Sequence, residues 1–177
     1  MLFKNAANRD NTSTLVQQTE FEGWKLLTAG DATAGGLNGF EIWSNYDRMA
    51  DSGNVLRSVA AAAGNGQNWL ELNNAAGTMA QTLGIERSVD TVAGASYTLS
   101  LDVAGRLGYG ADFTQIGIYV DGVRIGGDET TSGATALNWQ ARSFTFVGKG
   151  GTQSIRIVSE AGKFDVSGRG MMVDDIV

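Results

Sequence analysis

The strongest constraint on this chain is the way its apolar residues alternate in short runs broken by Gly, Asn and Asp, with no sustained helical period. The clearest case is Ile116-Gly117-Ile118-Tyr119-Val120, then Asp121-Gly122, then Val123-Arg124-Ile125. An Asp-Gly pair between two apolar runs supplies the positive φ angles of a two-residue hairpin turn. Trp69-Leu70-Glu71-Leu72-Asn73 sends Leu70 and Leu72 to one face and Trp69, Glu71 and Asn73 to the other. Tyr97 to Val103 likewise sets Leu99, Leu101 and Val103 opposite Ser100 and Asp102. Further strands are predicted at Gly39–Trp43, Met79–Leu83, Arg142–Val147, Ser154–Val158 and Gly170–Val177. Val55 to Ala63 holds four consecutive alanines and reads equally as a short helix or as a strand followed by a loop. Gly148-Lys149-Gly150-Gly151 lacks the Gly-Lys-Ser/Thr ending of a phosphate loop and reads as a hairpin turn. About ten short strands without a long helix close most naturally as an all-β, two-sheet antiparallel β-sandwich, the jelly roll.

The 177 residues suffice for one domain, expected at 14–177 behind a polar leader or linker at 1–13. The apolar run that ends the chain at Val177 reads as a strand cut at its last residue, as in a module of a longer protein. There is no Cys and no His. That excludes a Ser-His-Asp triad, a cysteine nucleophile and a zinc site built from the usual ligands. What is left for metals is oxygen, from 12 Asp, 7 Glu and 11 Asn, which suits calcium or magnesium. Thirteen basic against 19 acidic residues argue against nucleic acid or an anionic membrane as partner. The expected product is a binding module, not an enzyme.

Carboxylates set among apolar strand residues are expensive to bury unless a cation balances them. Glu41 between Phe40 and Ile42, Glu71 with Asn73, Asp102, and Asp174 in the last strand are therefore the first candidate calcium ligands. Glu22 and Asp175 are candidates for a separate structural ion. The alternative is solvation, or pairing with Arg106 and Arg169. A second cluster surrounds residues 44–54, where Trp43, Asn45, Tyr46, Asp47, Arg48 and Asp51 crowd an aromatic, amide and charged surface into one loop. Arg106 and Tyr109 belong to a similar glycine-flanked loop. The plainer reading of both loops is turn chemistry by Asp and Asn. Trp24, Trp69 and Trp139 fit apolar patterns and read as core.

Six landmarks taken in order carry a resemblance: Phe21-Glu22-Gly23-Trp24; Gly39-Phe40-Glu41-Ile42-Trp43; Asn68-Trp69-Leu70-Glu71-Leu72-Asn73; Tyr97 to Asp102 running on to Arg106; Trp139 before Phe144-Thr145-Phe146; and Gly170 to Ile176. The chain resembles the galactose-binding-like jelly-roll superfamily, and more narrowly the peptide-binding domains of bacterial RTX adhesins. The resemblance implies a β-sandwich that coordinates calcium and holds its ligand in loops at one edge. In those domains calcium helps to capture the free C-terminal carboxylate of a peptide, and related modules bind sugar hydroxyls through calcium. The implied function is an extracellular, cell-surface module for adhesion or biofilm formation, monomeric within a longer chain. Its partner would be a peptide or protein C-terminus, or alternatively a surface glycan. A structural spacer, and a glycosidase using Glu41 and Glu71 as acid and base, are the remaining alternatives.

Overall fold

The computed structural model describes residues 14–16, 18–27, 39–63, 66–73, 83–161 and 169–177. The leader expected at 1–13 and residues 79–82 of the strand expected at Met79–Leu83 lie outside them. The alternating runs become two antiparallel sheets of six strands each. The first runs β1 (Thr14–Val16), β4 (Phe40–Ser44), β7 (Asn68–Asn73), β14 (Gly170–Asp174), β9 (Ser96–Gly105) and β12 (Gln140–Val147). The second runs β11 (Val123–Asp128), β10 (Ile116–Val120), β13 (Gly151–Ser159), β8 (Gly84–Thr91), β3 (Trp24–Leu27) and β2 (Glu20–Phe21). A short hairpin of β5 (Arg48–Ala50) and β6 (Leu56–Ser58) stands apart from both. The two-sheet sandwich read from the sequence is the observed fold.

The main core lies between the sheets. The first contributes Phe40, Ile42, Leu70, Leu72, Leu101, Val103, Met171 and Val173, and the second Ile85, Ile116, Ile118, Ile155 and Ile157. Branched aliphatic side chains suit a pleated surface, and each one fully buried stabilises by about 1.5–3 kcal/mol. The β10–β11 turn forms as expected, with Asp121 at φ 48° and Gly122 at φ 77°. Asp121 also ties this turn to β13, accepting from the Ser154 amide at 2.9 Å and from Gln153 Nε2 at 2.8 Å. The Ser154 amide, then Gln153, hold its carboxyl below the usual carboxylate range. The alanine-rich segment resolves into strand β6 and then a loop, because its first residues pair with β5.

One feature departs from a simple sandwich. All six residues of β7 and all five of β14 are buried, so the central strands of the first sheet are covered on both faces. A second cluster of Trp43, Met49, Val59, Trp69, Leu107 and Met172 occupies the outer face.

Replacing Ile118 by Ala removes three buried carbons at the centre of the main core and is expected to cost about 2–5 kcal/mol. Gly122→Ala meets open space but must hold a positive φ, so its cost should be nearer 1 kcal/mol. Urea unfolding of the two variants checks that order; equal losses would place the hairpin turn, not the core, in control.

Candidate functional site

Strand alternation places Glu41, Glu71, Asn73, Asp102 and Asp174 on the outer face of the first sheet, opposite the residues of the main core. Glu41 stands directly across from Glu71, and Asp102 across from Asp174. The sequence therefore located one face correctly, but the five residues divide into different roles.

Glu71 is an ion-pair partner. Its Oε2 accepts from Arg106 Nη1 at 2.6 Å and from Trp43 Nε1 at 2.8 Å, and its Oε1 accepts from the Gly170 amide at 2.8 Å. The Arg106 guanidinium lies over the Trp43 ring, 4.9 Å from its centroid. Burial pushes the Glu71 carboxyl up, and the Arg106 charge pulls it back. With three donors on its two oxygens, Glu71 follows the alternative that the sequence left open, pairing with Arg106, in place of calcium ligation. The same network takes in Trp43 and Arg106, both expected on the ligand-binding surface and both buried here.

Asn73 and Asp174 behave differently. Asn73 donates through Nδ2 to Glu41 Oε2 at 2.7 Å, while its buried Oδ1 has no partner among the described residues. Asp174 is fully buried; its Oδ1 accepts from the Asp175 amide at 2.8 Å and its Oδ2 has no partner among the described residues. Burial, with the charges of Asp175 and Asp102 adding to it, raises the Asp174 carboxyl to about 7. A buried carboxylate with an orphaned oxygen beside a second acid is an arrangement that a cation would relieve. Among the described residues no group of three or more acids is nonetheless arranged so that it could hold a metal ion. Glu22 and Asp175, in the β2–β3 turn and just after β14, both hold left-handed backbones at φ 49° and 45°.

In the loop of residues 44–54 the turn chemistry prevails. Asp47 Oδ2 accepts from the Ser44 amide at 2.6 Å and from Ser44 Oγ at 2.9 Å. Asp51 accepts from the amides of Gly53 and Val55 and from Arg57 Nε at 3.0 Å. The Val55 amide, with Arg57 beside it, holds the Asp51 carboxyl below its ordinary value. Asn45 Oδ1 accepts from the Ala61 amide at 2.6 Å and pins the following loop. Asn45, Tyr46 (59% exposed) and Arg48 face solvent, as do residues 52–54, while Asp47 and Asp51 are buried. Tyr109 is half-buried, edge-on to Phe113, and accepts a hydrogen bond from Arg169 Nε.

Beside this loop the covered face opens into a groove of about 440 Å³. Ser58, Val59, Ala60, Ala61 and Ala63 form one side, and Ala136, Leu137 and Trp139 the other. Trp139 packs edge-on against buried Trp69, with ring centroids 6.0 Å apart, and donates from Nε1 to the Ala60 carbonyl at 2.8 Å. Half-buried, Trp139 is groove wall and not core. Sequence reasoning missed this groove; its signal was the run of four alanines, which leaves the loop backbone uncovered.

No protein-family model and no curated protein matches the chain. Among solved structures it is similar to an apo-form cyclase from Fischerella sp., at 16% identity over 98% of this chain and 89% of that one, with a TM-score of 0.56. It is also similar to a family 35 carbohydrate-binding module from an environmental isolate, at 19% identity over 77% of this chain and 90% of that one, TM-score 0.44. A third is carbohydrate-binding module CBM36 in complex with calcium and xylotriose, at 16% identity over 67% of this chain and 86% of that one, TM-score 0.41. These likenesses concern the β-sandwich fold, which enzymes and non-catalytic modules share.

Arg106→Ala should cost about 3–5 kcal/mol, because it strands a buried charge on Glu71. Adding Glu71→Gln should recover a substantial part of that loss in a double-mutant cycle; strict additivity would disprove the coupling. Asp174 gives the opposite pH dependence to an ordinary acid. Because its folded pKa of about 7 exceeds the unfolded value of 3.8, folding takes up a proton as pH falls from about 7 to about 4, and stability rises. In EDTA, Asp174→Asn should abolish that rise in melting temperature; an unchanged pH profile would locate the proton elsewhere.

Proposed function

We propose that this chain is a non-catalytic ligand-binding module of an extracellular, adhesin-type protein, and that it takes a glycan in the groove beside Trp139. The supporting observation is the lining of that groove: alanines, Val59, Leu137 and an indole, with Ser58 as its polar member and no charged side chain. Such a surface stacks against the apolar face of a sugar ring and offers backbone carbonyls and amides to the hydroxyls. Capture of a peptide carboxylate is less well supported, because Arg106 is buried and the remaining loop cation, Arg48, donates to the Leu56 carbonyl. A glycosidase role is disfavoured by the same geometry, since Glu71 is fixed by Arg106, Trp43 and Gly170.

Calcium enters this reading as a stabiliser. Asp102 and Asp174 would hold it, Glu41 with Asn73 would form a second oxygen pair, and Glu22 and Asp175 remain candidates for a further ion. When bound, it supplies positive charge that neutralises carboxylates the fold has buried.

Calorimetric titration with oligosaccharides, and with a peptide bearing a free C-terminus, tests the reading in calcium and in EDTA. Saturable binding of an oligosaccharide is expected, weakened about tenfold or more by Trp139→Ala and retained by Trp139→Phe. Thermal melts of both variants control for folding. Peptide binding in place of sugar binding, or sugar binding indifferent to Trp139→Ala, would overturn the proposed site.

A further inference from the structure

A second recess lies on the other sheet, where β10, β11 and the residues after β13 meet. Its volume is about 330 Å³. Gly117 and Gly127 face each other across the β10–β11 pair. A Cβ on Gly117 would collide with the Glu160 carboxylate, and one on Gly127 with Arg124 and the Ile116 carbonyl. The paired glycines thus leave bare backbone over which Arg124 and Glu160 lie. The Arg124 guanidinium grips Glu160 through both Nε and Nη2, the latter at 2.8 Å, and Tyr119 donates its hydroxyl to the same carboxylate. Arg124 is the main cause that keeps the Glu160 carboxyl below its ordinary value. This clamp sets both side chains in one geometry: its four contacts occupy the lone pairs of the Glu160 carboxylate, while Arg124 Nη1 makes no hydrogen bond among the described residues.

Next to the clamp stand Gln115 and Glu129, joined by a single long contact of 3.4 Å from Gln115 Nε2 to Glu129 Oε2. Asp128, the other acid of the recess, is neutralised by Arg142. The charge balance selects the ligand. An anion would meet Glu129 and Glu160, and a cation would meet the Arg124 guanidinium that Glu160 already holds. A neutral ligand carrying several hydroxyls faces no such opposition. Adjacent hydroxyls donate to carboxylate oxygens and accept from guanidinium and amide N–H groups, which is the mixture assembled here.

We propose that this recess is a second ligand site, for a neutral polyhydroxylated ring such as one monosaccharide unit, read by Arg124, Glu129 and Gln115, with Glu160 holding Arg124 in place. It is separate from the groove beside Trp139, and either site can exist without the other.

The probe is a set of methyl glycosides (glucoside, galactoside, mannoside, xyloside) titrated into isotopically labelled protein and followed by amide chemical shifts. At least one should give saturable shifts at Gly127, Glu129 and Glu160 below about 50 mM, the weak affinity usual for one small ring. Glu129→Ala and Arg124→Ala should each weaken those shifts about tenfold, while Trp139→Ala leaves them unchanged. Glu129 is exposed and makes only one weak contact, so its variant remains folded even where Arg124→Ala does not. Absence of saturable shifts at these amides, or shifts that persist undiminished in Glu129→Ala, overturns the proposal. Loss of the Trp139-dependent binding alone would overturn the groove and leave this recess standing.

Discussion

The buried Arg106–Glu71 pair governs the outer face of the first sheet. Two charges taken out of water are tolerated only when their hydrogen-bonding capacity is largely met, and here Trp43 Nε1 and the Gly170 amide complete the set on Glu71. The geometry leaves no room for substitution at Gly170, whose Cβ would collide with the Leu72 carbonyl on the neighbouring strand. β14 is thereby seated between β7 and β9 at one register, and the pair couples three strands that are remote in sequence. A face carrying that pair must be kept dry. The second apolar cluster does this, and the β5–β6 hairpin with the loops at 59–63 and 137–139 is its cover.

This double coverage explains why the fold was more legible in the sequence than the site. Period-two alternation in β9, β12 and the β10–β11 hairpin reports a strand whether one face or both are buried, so the sandwich could be read from residues such as Leu99, Leu101 and Val103. Alternation cannot report what lies on the second face. Trp69, Glu71 and Asn73 were rightly set on one side of β7, but alternation could not say whether a metal ion or an arginine balances the carboxylate on that buried side. The partner of Glu71 is Arg106, 35 residues away; the sequence offered that pairing as one alternative, and no local pattern selects it over a metal ion.

The loop of residues 44–54 shows the same limit from another direction. Aspartate has one composition signature for two uses, ligation and turn capping. Asp47 and Asp51 are spent on backbone amides within four residues of themselves, the commoner use of a short carboxylate in a tight connection. Asp174 differs in its setting: it lies in the last strand, takes its one local amide from Asp175, and burial raises its carboxyl to about 7. The distinction between these acids lies in where the neighbouring amides point, a property of the folded backbone.

The two recesses follow from small residues used in opposite ways. In the groove beside Trp139, alanines at 60, 61 and 63 keep the loop thin while adding apolar surface, so the space they open is dry-walled and suited to a ring face. In the second recess the glycines at 117 and 127 add no surface at all, and long charged side chains can lie flat on the exposed strands. The Arg124–Glu160 pair is partly solvated, so it contributes little to stability. Its energetic cost to the fold is correspondingly small, unlike that of Arg106–Glu71. An exposed, geometrically fixed ion pair on a floor cleared by two facing glycines is better accounted for by what it can hold than by what it stabilises.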